Sequence, residues 1–62
     1  MDYKLYFGTL LQMFDENEMI EVRMNNQRYR ATALAMMMED HALHSRHVQK
    51  ITRNFNNIVV YL

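Results

Sequence analysis

Thr32-Ala33-Leu34-Ala35-Met36-Met37-Met38-Glu39-Asp40-His41-Ala42-Leu43 is the stretch on which the fold turns, because strand-like segments flank it on both sides. The Thr32 hydroxyl can accept from a first-turn N–H that has no intrahelical partner, so a helix is expected to start at Ala33. At about 100° per residue, Leu34, Met37, Met38 and His41 share one arc, and Met36 and Leu43 share another. Two apolar sides need two partners. The first side is expected on a sheet; Met36 and Leu43 then need a second helix, a second subunit or a binding partner, because exposed clusters of large apolar side chains are unfavourable. Glu39 and Asp40 fall where the helix dipole disfavours negative charge, so the helix is expected to be short and frayed at its end.

Immediately upstream, Met19–Met24 alternates cleanly, with Ile20, Val22 and Met24 on one face and Glu21 and Arg23 on the other. Asn25-Asn26 can adopt the positive φ angles of a two-residue hairpin turn, and residues 27–31 return with Tyr29 and Ala31 alternating. That turn sets Val22 against Tyr29, Ile20 against Ala31 and Glu21 against Arg30. It also sets Arg23 against Arg28, a like-charge pair with a cost unless something anionic relieves it. Downstream, residues 48–54 read as a third strand, and Ile58-Val59-Val60-Tyr61-Leu62 as a fourth. A turn at Asn56-Asn57 would pair Phe55 with Ile58 and Ile51 with Leu62. Ile51, Phe55, Ile58, Val60 and Leu62 would then face the core, with Thr52, Val59 and Tyr61 facing out.

Toward the start, Tyr3, Leu5 and Phe7 alternate as a short extended piece or arm, and Thr9 is placed to cap a brief helix carrying Leu10, Leu11, Met13 and Phe14. Asp15-Glu16-Asn17-Glu18 reads as a solvated connection. The expected architecture is therefore a small α+β domain spanning residues 1–62, in the order α-β-β-α-β-β. Its two hairpins join one antiparallel sheet, with one or both helices on one face.

Sixty-two residues bury only roughly 60% of the surface an unfolded chain exposes, so the core is marginal. With no cysteine there is neither a disulfide nor a thiolate zinc site, which leaves self-association or partner binding as reinforcement. There is one glycine and no proline, hence no phosphate-cradling glycine loop, and no apolar run of about 20 residues to span a membrane. A cytoplasmic protein is the expectation.

The run Thr9-Leu10-Leu11-Gln12-Met13-Phe14-Asp15, with Ile20-Glu21-Val22, Val48-Gln49-Lys50-Ile51 and Ile58-Val59-Val60-Tyr61-Leu62, resembles small α+β proteins encoded by phages and other mobile elements. The resemblance covers most of the chain and carries over no functional residue. It implies a short accessory protein in a host cytoplasm that binds a host or phage protein, in some cases as an inhibitor of host defence.

His41, His44 and His47 follow H-x2-H-x2-H, and two imidazoles three apart on a helix can share a metal. His47, however, lies about 240° round from His41, so polar histidines at a helix end are expected and no metal is assigned. No H-E-x-x-H and no nucleophile beside a positioned base occurs, so the chain is expected to be non-catalytic and without cofactor.

Two binding readings follow. The leading one is a self-associating protein-interaction module using Met36 and Leu43 or a sheet edge, its methionines supplying an adaptable surface. Inhibition of a host defence protein is its most specific form. The alternative draws on Arg23, Arg28, Arg30, Arg46, Lys50 and Arg53. Of these, Arg23, Arg28, Arg30 and Lys50 could share an outer sheet face with Tyr61 and bind single-stranded nucleic acid. Seven basic and seven acidic residues give a net charge of zero, which withholds long-range attraction from that alternative.

Overall fold

The alternation around Ile20 and Val22 produces β1 (Met19–Met24) in the computed structural model, which describes residues 4–39, 41–55 and 57–62. It pairs antiparallel with β2 (Gln27–Thr32) in the expected register: Val22 meets Tyr29, Glu21 meets Arg30 and Arg23 meets Arg28. Asn25 and Asn26 take φ of 50° and 66°, the left-handed pair that a two-residue hairpin turn demands. The second hairpin joins β3 (Lys50–Asn54) to β4 (Asn57–Tyr61), also antiparallel.

The two hairpins meet in the middle, in the order β2-β1-β4-β3, and there the pairing is parallel, with Ile20 beside Ile58 and Val22 beside Val60. The fold is the small α+β arrangement expected; the sheet departs from the expected antiparallel pairing at this seam, and the reason is the path of the connection. Residues 33–49 cross the sheet from the end where β2 finishes to the end where β3 begins. The strand β3 therefore runs the way β2 does, and β4 the way β1 does. The two apolar strands take the centre, and the polar, cationic β2 and β3 take the edges, where unpaired backbone must tolerate water.

Both helices pack on one face of this sheet. The helix α2 (Ala33–Glu39) starts where expected, with Thr32 Oγ1 accepting from Ala35 N–H at 3.1 Å. Its first N–H groups are also held, Ala33 donating to the Glu18 carbonyl at 2.9 Å and Leu34 to that of Glu16 at 3.1 Å. These tethers set the roll of the helix, which departs from the expected one at Leu34, Met36 and Met38 and agrees with it at Met37. Ala33 and Met36 are fully buried and Met37 packs against the core, while Leu34 and Met38 turn outward, Met38 being 67% exposed. Leu43, in a single 3-10 turn (His41–Leu43), also leans on the core. Periodicity orders the residues around the helix but cannot tell which arc of it meets the sheet. Asp40, expected in the frayed end, lies outside the described residues.

The first helix, α1 (Phe7–Leu11), begins three residues before the expected start, and Tyr6 rather than Thr9 is the N-cap. No side chain caps it. Its N–H groups are satisfied from the connection instead, Phe7 donating to the Arg46 carbonyl at 2.9 Å and Gly8 to that of His44 at 3.0 Å. A Cβ at Gly8 would stand 2.9 Å from His44 Cβ, so only glycine allows this approach. Phe7, Leu10 and Leu11 are buried with Ile20, Val22, Met36, Ile58 and Val60 in one cluster. Of the expected extended arm, Tyr3 lies outside the described residues; Tyr6 bridges to His47, and Val48 N–H donates to the Leu5 carbonyl at 2.7 Å.

That last pair explains a slipped register. Asn54 pairs with Asn57 and Ile51 with Val60, not Leu62, so the turn falls one residue early. Phe55, expected in the core, occupies the turn at φ 52° with its side chain fully exposed, and Ile51 is 42% exposed on the edge strand. Val48 is fastened to Leu5, and Gln49 N–H to the Tyr61 carbonyl at 2.8 Å, which decides which β3 residue meets Tyr61. The turn absorbs the remainder, at a cost of about 1 kcal/mol or more for a bulky residue at positive φ. Val59 faces away from the helices as expected, yet is only 5% exposed because it sits mid-sheet between Glu21 and Thr52.

Met36→Ala should cost about 2–5 kcal/mol in urea unfolding, as a cavity in a packed core does. Met38→Ala should stay within about 0.5 kcal/mol. Equal losses at the two positions would contradict the roll of α2.

Candidate nucleic-acid interface

The face of the sheet away from the helices collects four of the five basic strand residues. Pairing across all four strands sets Arg28, Arg23, Tyr61 and Lys50 in one row, and Arg30, Glu21, Val59 and Thr52 in the next. With strands about 4.8 Å apart, the first row spans about 14 Å. Arg23, Arg28, Arg30 and Lys50, the four residues expected of a nucleic-acid surface, are thus brought together. Two other cations are not. Arg53 points to the helix side, 3.7 Å from Glu18, and Arg46 lies in the connection between α2 and β3.

Tyr61 is the centre of the row. The Arg23 guanidinium carbon stands 5.6 Å from the ring centroid and the Lys50 ammonium 5.5 Å, both within cation–π range. Arg23 also donates to the Tyr61 hydroxyl at 3.3 Å and pairs with Glu21 at 2.6 Å. The tyrosine is half-buried and held on two sides, so its ring is a fixed element of the surface.

Glu21 is the one carboxylate in these two rows. Its hydrogen bond from Arg23 holds its carboxyl below the usual carboxylate range; partial desolvation opposes this, and the charges of Arg23, Arg28 and Arg30 add to it. Glu21 is therefore ionised at neutral pH and cancels one cation. The stabilisation from this pair is present above the ordinary carboxylate pKa and is lost as pH falls through the depressed value.

Beside the row, at the Asn25-Asn26 turn, opens a shallow cleft of about 500 Å³ lined by Arg23, Asn25, Asn26, Arg28, Gln49 and Tyr61, among others. The amide side chains there carried no sequence signal as a group, since Gln49 joins the others only through the pairing of β4 with both β1 and β3. The same pairing places Tyr61 against Arg23, 38 residues away in the chain.

The other expected sites fare differently. Met36 is fully buried and so is not at the surface expected of it, and Leu43 is half-buried against the core. Leu34 and Met38, four apart on α2, are the accessible apolar pair. His44 directs Nε2 at the Met36 carbonyl, 3.0 Å away, with the His41 ring 5.2 Å from its own, while His47 packs on Tyr6 at 4.7 Å. The rings serve separate contacts, and among the described residues no three potential ligands converge on a metal position. Among the described residues, too, no helix is long and apolar enough to cross a membrane.

Comparison of the chain with known family patterns, with curated proteins and with solved structures finds no match in any of the three.

Glu21→Gln removes the charge that offsets Arg23 while keeping the shape. Binding of a single-stranded oligonucleotide, followed by fluorescence anisotropy at neutral pH, should tighten several-fold; unchanged or weaker binding would mean that this face is not where the polyanion sits.

Proposed function

We propose that the chain is a non-catalytic binding module whose open sheet face takes single-stranded nucleic acid. The observation that carries the reading is the grouping of Arg23, Arg28, Arg30 and Lys50 around Tyr61 on a face no helix covers. Four cations less the one Glu21 carboxylate leave a local excess of three on a chain of zero net charge. Arginine and lysine attract the backbone, and the Tyr61 ring gives a base a surface to stack on once the exposed Lys50 ammonium moves from the ring to a phosphate. A single strand suits this better than a duplex, whose bases expose no ring faces.

A second reading keeps the protein contact, moved to a new place. Leu34 and Met38 form an exposed apolar pair on α2, the kind of surface an adaptable protein interface uses. A phage-encoded inhibitor of a host protein would present it. Self-association would use the same pair, because pairing through the sheet edges would set the cations of β2 or β3 against one another.

Salt separates the readings. With three uncompensated cations, the logarithm of the affinity for oligothymidylate should fall against the logarithm of salt concentration with a slope of about −2. An apolar contact through Leu34 and Met38 would give a slope near zero, and that result would set the nucleic-acid reading aside.

A further inference from the structure

We infer that the cleft at the Asn25-Asn26 turn receives the phosphate-bearing end of a nucleic-acid strand, a terminal nucleotide rather than an internal one. This deepens the reading above and rests on it. Arg23 and Arg28 stand directly opposite each other across the first hairpin and both line the cleft. Like charges so placed cost stability unless an anion joins them. Arg23 is partly answered by Glu21; Arg28 has no carboxylate within ion-pair distance among the described residues. The site therefore holds spare positive charge at Arg28.

An internal phosphodiester brings a single negative charge. A terminal phosphate monoester carries about −1.5 to −2 at neutral pH and three strong acceptor oxygens, a better match to two guanidinium groups. The walls supply the rest of a nucleotide site. Tyr61 offers its ring, and Asn25, Asn26 and Gln49 offer amides that can both donate to and accept from a base edge. Arg28 closes the row Lys50, Tyr61, Arg23, Arg28 on the edge strand β2, where a strand following the row leaves the sheet.

The test compares oligothymidylates of about eight nucleotides, unphosphorylated or phosphorylated at one end, by anisotropy against wild type, Arg28→Gln and Arg30→Gln. One terminally phosphorylated strand should bind about tenfold more tightly than the unphosphorylated strand. Arg28→Gln should erase that difference; Arg30→Gln, on the same face away from the cleft, should weaken all strands while preserving it. Thymidine monophosphate should compete for the phosphorylated strand, and inorganic phosphate at equal concentration should compete about tenfold less well. Arg28 is exposed, and circular dichroism of the variant checks that the fold is kept. Equal affinity of all strands for wild type would overturn the terminal site while leaving the face intact. Competition by inorganic phosphate equal to that of the nucleotide would reduce the cleft to an ion site and overturn the nucleotide claim. No binding of any strand would overturn both the site and the face.

Discussion

The parallel seam between β1 and β4 is the interaction on which everything else depends. It buries Ile20 against Ile58 and Val22 against Val60 on one side of the sheet, and on the other it sets Arg23 beside Tyr61. Neither hairpin alone would last, since a two-stranded ribbon is marginal in water. Joined through the seam they give four strands, and the helix side becomes broad enough for Phe7, Leu10, Leu11 and Met36 to close a core. The same contact thus builds the core and the candidate site.

The helices are consequences of that core rather than independent units. Five and seven residues are far below the length at which an isolated helix holds in water. Each is fixed instead by backbone carbonyls of a connection at its first turn: His44 and Arg46 for α1, Glu16 and Glu18 for α2. The acidic run between α1 and β1 therefore has a structural task in its main chain, independent of its charges. His44 works from both ends, its carbonyl receiving Gly8 and its ring reaching the Met36 carbonyl. This ties α1, the 3-10 turn and α2 into one layer.

How much could be read from the residues follows from how local each decision was. The first hairpin is legible because alternation and the Asn-Asn turn agree, and the register comes out residue for residue. The Thr32 cap is legible for the same reason. What the residues did not disclose are long-range choices: the roll of α2, decided by carbonyls 15 to 18 positions upstream; the start of α1, decided by Arg46 and His44; and the turn at Phe55, decided by the hold of Val48 on Leu5. The first of these puts Met36, expected at a contact surface, in the core, while Leu43 in the 3-10 turn stays half-buried. The cations Arg23, Arg28, Arg30 and Lys50 were recognisable as sharing one face, but their arrangement about Tyr61 needed the seam.

Amide chemical-shift mapping of the full chain during titration with oligothymidylate bears most directly on the claim that the uncovered sheet face is the working surface. The largest shifts should fall on Arg23, Arg28, Lys50 and Tyr61, with Leu34 and Met38 unmoved. Shifts confined to α2, or no shifts at all, would contradict it.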